Sequence, residues 1–183
     1  MAKLALVLEE GRLIEEIRSG DQEAFRTLVE PHTEALLRSI FRIVGREADA
    51  QDILQETLVR AFLSIGNFKG NSSFKTWLFR ISYNLSIDFV RKNKRNIEDL
   101  NETALNLVKS EDSPENTIEA RSELMRVSLG LKRLSPEHRE ALLLREVDGL
   151  SYEEIAEVTG VSQGTVMSRL FYAREQLLGF MGK

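Results

Sequence analysis

The chain has 183 residues, 42% of them hydrophobic and 30% charged, with three prolines, eleven glycines and a formal net charge of −4. That is a soluble, helix-rich globular composition, long enough for one domain or two small ones. With no cysteine and only two histidines, disulfides, thiolate metal sites and cysteine nucleophiles are excluded. His32 and His138 lie far apart with no ligand spacing around them. Neither a glycine-rich phosphate loop nor a serine elbow is present, so no enzyme, cofactor or metal is expected. No apolar run approaches the ~20 residues that span a bilayer. Residues 1–8 are apolar but meet Glu9 and Glu10 at once, which reads as a frayed leader into a helix and not as a signal peptide. The absence of cysteine suits the cytoplasm.

The first helical pattern opens at Asp21-Gln22-Glu23, an N-cap followed by an acid, and carries Phe25, Leu28 and Val29 to near Pro31. A second runs through Leu36, Leu37, Ile40, Phe41 and Val44 and closes at Gly45. A third, about 47–65, places Ile53, Leu54, Leu58, Ala61, Phe62 and Ile65 on one stripe. After a turn at 66–71, Ser72 or Ser73 caps a long helix with Trp77, Ile81, Leu85 and Phe89 at successive i+4 positions. These patterns predict one compact helical bundle over 10–95. Residues 96–117 are polar and acidic and read as a linker. Extended, it reaches on the order of 80 Å, enough for two DNA turns of about 34 Å each.

A second unit spans 118–183, beginning with Leu124, Val127, Leu131 and Leu134 in helical step. Ser135-Pro136-Glu137 is a helix start, with Leu142, Leu143, Leu144 and Val147 as its apolar positions up to Asp148-Gly149. Ser151 and Glu154 form a capping box, and the short helix they open stops at Thr159-Gly160-Val161. Ser162 caps a last helix with Val166, Leu170, Ala173 and Leu177 facing inward. The expected fold class is therefore all-α, two small helical domains joined by a flexible acidic linker.

Charge is unevenly spread. Residues 69–95 carry seven Lys/Arg against Asp88 alone, whereas 96–123 carry eight acids against Lys109 and Arg121. The net value conceals a basic patch beside an acidic stretch. Short helix, glycine turn, longer helix over 151–177 is the helix-turn-helix layout, whose second helix enters the major groove. Its N-terminal half offers Ser162, Gln163, Thr165, Met167, Ser168 and Arg169, with Phe171 and Arg174 further along: hydroxyls, an amide, guanidinium groups and apolar surface for a thymine methyl.

These segments resemble a known family. LSPEHREALLLREVDGLSYEEIAEVTGVSQGTVMSRLFYARE is similar to region four of extracytoplasmic-function (ECF) sigma factors, which reads the minus-thirty-five promoter element. DAQDILQETLVRAF resembles the part of region two that docks on the polymerase clamp helices, and FKTWLFRISYNLSIDFVRKNKR the part that melts and reads the minus-ten element. The resemblance implies a non-catalytic factor that directs core RNA polymerase to promoters, in a stress or envelope response. Asp52, Gln55 and Glu56, with Asp52 and Glu56 one turn apart on a helix face, would meet core polymerase. Asn84 matches a position that contacts an extruded minus-ten base, which Phe79 could stack on while Lys75, Arg80, Arg91, Lys92, Lys94 and Arg95 hold the single strand. The implied partners are core polymerase, duplex and single-stranded promoter DNA, and an anti-sigma factor that could hold the protein at the inner membrane. One departure stands out: relatives carry Lys or Arg where Met167 stands, and often a basic residue at Tyr172. A stand-alone helix-turn-helix regulator and a sigma-like decoy are the alternative readings; neither accounts for the acidic dock together with the basic, aromatic 77–95 segment.

Overall fold

The computed structural model of the protein describes residues 2–93 and 118–182. The expected linker, Lys94 and Arg95 lie outside the described residues. Within them the chain forms eight α-helices and no strand, in two groups. The first comprises α1 (Ala2–Arg18), α2 (Gln22–Val44), α3 (Glu47–Ser64), a 3₁₀ turn (Ile65–Asn67) and α4 (Phe74–Lys92). The second comprises α5 (Ile118–Arg133), α6 (Pro136–Glu146), α7 (Tyr152–Thr159) and α8 (Gln163–Met181).

Most helix ends follow the local chemistry of the sequence. Asp21 accepts the backbone N–H groups of Glu23 and Ala24 at 2.8 and 3.1 Å, opening α2. Gly45 closes it with φ of 82°, a conformation that costs glycine little. Ser73, Ser135 and Ser162 cap α4, α6 and α8, and Ser151 with Glu154 completes a reciprocal capping box on α7. Pro136 occupies the first turn of α6, where its missing N–H would have had no helical partner.

Several expectations are corrected, the first in α2. The patterns before and after Pro31 are one helix, α2, with the proline inside it. An internal proline costs about 3 kcal/mol. Here its ring is exposed, while Leu28, Val29, Leu36 and Ile40 bury on both sides of it and hold the two halves in one register. Each such apolar side chain contributes roughly 1.5–3 kcal/mol when buried, so packing outweighs the break.

The second correction concerns the face of α4. Trp77, Ile81, Leu85 and Phe89 are only half-buried; the core face is Phe74, Leu78, Phe79, Ser82, Ser86 and Val90. Ser82 and Ser86 donate to the carbonyls of Phe79 and Ser82 at 3.0 and 2.7 Å, so these small polar residues enter the core satisfied. Their size lets α4 pack closely on α2 and α3, which larger residues at those positions would prevent. Trp77 sits at the rim with Phe68 and Phe74, ring centroids 5.2 and 5.7 Å away.

The stripe expected on α3 is likewise split. Ile53, Ala61 and Ile65 are buried, joined by Ala50 and Thr57, while Leu54, Leu58 and Phe62 flank them. In the second group Leu134, Ala141, Leu142, Leu144, Leu150, Ile155, Val158, Val166, Leu170 and Ala173 make the core. Val147, expected inside, is exposed where α6 ends.

The two groups pack on each other, chiefly α4 against α7. A fully buried ion pair joins Arg42, in the last turn of α2, to Asp148, in the turn between α6 and α7. Beside it lies a cavity of about 220 Å³ lined by residues of both groups, among them Arg42, Tyr83, Val90, Glu140 and Arg169.

Candidate polymerase and nucleic-acid interface

On α3 the side chains of Asp52, Gln55 and Glu56 are all exposed, on the face opposite Ala50, Ile53 and Thr57. Glu56 also accepts from Arg60 at 2.7 Å, an exposed pair that leaves the carboxylate accessible. The same face carries Val59 and Leu63, exposed at 53% and 77%, which the sequence reading missed. The surface is therefore acidic at one end and apolar at the other. Val59 and Leu63 could have been found from the sequence by asking which apolar residues fall outside the buried stripe.

On α4 the expected residues divide. Asn84 is exposed, and so are Arg91 and Lys92, with Arg91 3.4 Å from Asp88. Phe79, expected to stack on a base, is 1% exposed and belongs to the core, so no base reaches its ring in this arrangement. The aromatic surface that remains on α4 is half-buried, at Trp77, Tyr83 and Phe89. Lys75 lies 5.6 Å over the Phe79 ring and donates to the carbonyl of Asp148. Arg80 stands 3.8 Å from Glu157. Two of the expected strand-holding cations are thus turned toward the second group.

In the helix-turn-helix, α7 and α8 are joined through Gly160, at φ of 70°, with Val158 and Val166 buried between them. Ser162, Gln163, Thr165, Met167 and Ser168 are exposed along the N-terminal half of α8. The Ser162 and Thr165 hydroxyls meet at 2.9 Å within the cap. Met167 is 55% exposed and Phe171 59%, so both face outward, not into the small core. Arg169 is half-buried at the cavity between the groups. Arg174 is held by Glu146 at 2.7 Å and by the Tyr152 hydroxyl at 3.3 Å, which raises its already high pKa. It serves the packing of α6, α7 and α8 first.

His32 and His138 lie on different groups, and among the described residues no cluster of His, Asp and Glu could hold a metal. Burial, with Lys75 nearby, lowers the pKa of His32. No helix among the described residues is long and apolar enough to cross a membrane.

By its fold this is an all-α protein of two packed helical groups, the second built around a helix-turn-helix. Comparison with known proteins gives the class a family. Residues 28–96 match the family model for sigma-70 region 2, and 124–177 match that for sigma-70 region 4. The chain is 36% identical over 178 residues to the RNA polymerase sigma-H factor of Pseudomonas aeruginosa, covering 92% of each chain. It is 37% identical over 183 residues to the ECF RNA polymerase sigma-E factor of Haemophilus influenzae, covering 95% of this chain and 96% of that one. Among solved structures it is similar to CnrH in complex with the cytosolic domain of CnrY, with a TM-score of 0.68, 29% identity, and coverage of 95% and 97%. The chain belongs to the sigma-70 family of RNA polymerase sigma factors, within its extracytoplasmic-function group.

Proposed function

We propose that this chain is a promoter-specificity factor: it binds core RNA polymerase, directs it to a set of promoters and helps open them, without catalysing a reaction itself. The observation that carries this reading is the presence of both sigma-70 regions, in order, on one chain whose length its relatives share. In this reading 10–95 forms the core-docking and minus-ten unit, 96–117 the linker and 118–183 the minus-thirty-five unit. Asp52, Gln55 and Glu56, extended by Val59 and Leu63, form the polymerase dock. Asn84 receives an extruded base while Lys75, Arg80, Arg91, Lys92, Lys94 and Arg95 hold the strand. Ser162, Gln163, Thr165, Met167, Ser168, Arg169 and Phe171 face the upstream groove. The protein works in the cytoplasm, and an anti-sigma factor is a further expected partner; the similar CnrH was solved bound to a protein segment.

The test is run-off transcription with core polymerase on a promoter library, with and without this protein. A selected promoter set with paired upstream and minus-ten elements is expected. Transcription that is the same in both arms overturns the reading.

A further inference from the structure

The cavity between the helical groups combines apolar walls with buried charge that the chain itself does not satisfy. Ile43 on α2, Ile87 and Val90 on α4, Leu143 on α6 and Val161 before α8 form its walls. Arg42 lines it too, with a side chain only 3% exposed. Its Nη2 pairs with Asp148, but Nε and Nη1 are buried with no hydrogen-bond partner. Glu140, on the same lining, buries Oε1 without a partner. Buried polar atoms are nearly always paired, so unpaired ones that border a cavity point to a ligand that completes them. The walls decide what sort of ligand. Bridging water would satisfy the charges but wet the aliphatic side chains, whereas an apolar body with one polar end suits both. Burial pushes the Glu140 carboxyl up to about 7. With that carboxyl protonated, three guanidinium groups (Arg42, Arg139 and Arg169) face two carboxylates (Asp148 and Glu137). One positive charge is left over, which favours a monoanion.

We propose that this cavity is a binding site for a small apolar monocarboxylic acid, whose carboxylate accepts from Arg42 and the Glu140 carboxyl while its hydrocarbon body fills the space between the aliphatic walls. The volume sets the size. A cavity of about 150 Å³ takes up benzene, so one of about 220 Å³ suits roughly nine heavy atoms, the scale of a benzoate. An amine of the same shape would meet the guanidinium groups and be repelled. Residues of α2, α4, α6 and α8 all border the site, so a bound acid stabilises the packed fold by mass action. The site belongs to neither DNA-reading face, and the inference stands apart from the promoter reading. Where Glu140 is ionised in the free protein, binding takes up a proton. Affinity is therefore full below pH 7 and falls by roughly tenfold per unit above it. Around Glu140 stand Arg42 from α2, Tyr83 from α4, Glu137 and Arg139 from α6, Asp148 from the turn and Arg169 from α8. Tyr83, pushed up to about 12, stays neutral. Asp148 is raised by burial as well, so a Glu140 variant is needed to separate the two.

The full-length protein is titrated with para-fluorobenzoate, followed by fluorine NMR and by melting temperature. The probe stays ionised from about pH 6.5 to about 8.5, so any change in affinity there comes from the protein. Binding with a rise in melting temperature is expected, and para-fluorobenzylamine should bind on the order of tenfold more weakly. Ala141 is 2% exposed and lines the cavity, so the larger side chain of Ala141→Leu must enter it and should abolish binding. Overpacking could disturb that variant, so Ile87→Trp, which fills the cavity from α4, is measured beside it and should show the same loss. Glu140→Gln should keep binding at about pH 6.5 and flatten its fall above pH 7, because an amide donates at every pH. No binding to the parent, with only ordered water in the cavity of its crystal structure, overturns the site. Binding that survives in both Ala141→Leu and Ile87→Trp overturns it too. Equal affinity for the acid and the amine overturns the anionic assignment, and an unaltered pH dependence in Glu140→Gln overturns the role of Glu140.

Discussion

Asn84 stands exposed on α4, between the half-buried Ile81 and Leu85, and its side-chain amide can both donate and accept. Asn84→Ala is expected to weaken open-complex formation and relax preference at one non-template minus-ten base by about 1–3 kcal/mol, the cost of an unmet base-edge hydrogen bond. Open-complex assays on a minus-ten substitution series check this, and an unchanged preference at every position removes Asn84 from the pocket. Met167 is settled differently by its exposure. A buried methionine replaced by arginine would destabilise the fold; one that is 55% exposed should tolerate the change within about 0.5 kcal/mol. Met167→Arg is therefore expected to leave the melting temperature nearly unchanged, to steepen the salt dependence of promoter binding, and to add a guanine preference worth roughly 1–3 kcal/mol at one or two upstream positions. A destabilised variant with its old preference would show that the side chain does not face the groove.

At the scale of the helix, α3 is a two-faced element. Ala50, Ile53, Thr57 and Ala61 bind it to the bundle, so the acids opposite them can be changed without touching the core. The Glu56–Arg60 pair is exposed and one turn apart, a geometry worth about 0.3–0.5 kcal/mol. Asp52→Lys with Glu56→Lys should accordingly abolish co-purification with core polymerase while helicity and melting temperature barely move. A double variant that still co-purifies would place the dock elsewhere. Helix ends were the most legible feature of the sequence, because a cap is a contact between residues two to four apart. Asp21, Ser73, Ser135, Ser151 and Ser162 all cap as their positions imply. Faces were less legible. On α4 the aromatic and aliphatic stripe outranked the serine-bearing one by hydrophobicity, yet close helix packing selected the small serines for the interior.

Across the whole molecule, the interface between the groups is where ionisable residues are buried. Burial pushes the Glu140 carboxyl up to about 7, with Asp148 reinforcing the rise and Arg42 and Arg139 opposing it. Asp148 is raised too, by burial, against the pull of Arg42. The packed protein thus holds protons that the unfolded chain, with Glu140 near its ordinary 4.5, would release. Stability from Glu140 is full below pH 4.5 and is lost as pH rises through about 7. Between pH 5.5 and 8 the loss amounts to about 2 kcal/mol at most, since a tenfold difference in proton affinity between folded and unfolded chain is worth about 1.4 kcal/mol. His32, with its pKa lowered by burial, acts in the opposite sense at the acid end. Comparing slopes separates the two: Glu140→Gln should flatten the fall in melting temperature between pH 5.5 and 8. Parallel slopes in parent and variant would exclude Glu140 as the source.

The sequence by itself determined the all-α class, the helix caps, the helix-turn-helix and the order of the two sigma regions. These depend on contacts within a few residues or on motif order, both of which a linear chain displays. It also carried Asp52, Glu56, Asn84, Ser162, Gln163, Thr165 and Ser168 to exposed positions, because polar residues on amphipathic helices have one low-energy side. Only the tertiary structure decided that α2 runs through Pro31 and that Phe79 is core. It alone brought Arg42 to Asp148 and α4 to α7, pairing residues about 80 to 106 positions apart. Such pairings depend on how two preformed helical groups bury their remaining surfaces against each other, and neither periodicity nor spacing encodes that choice.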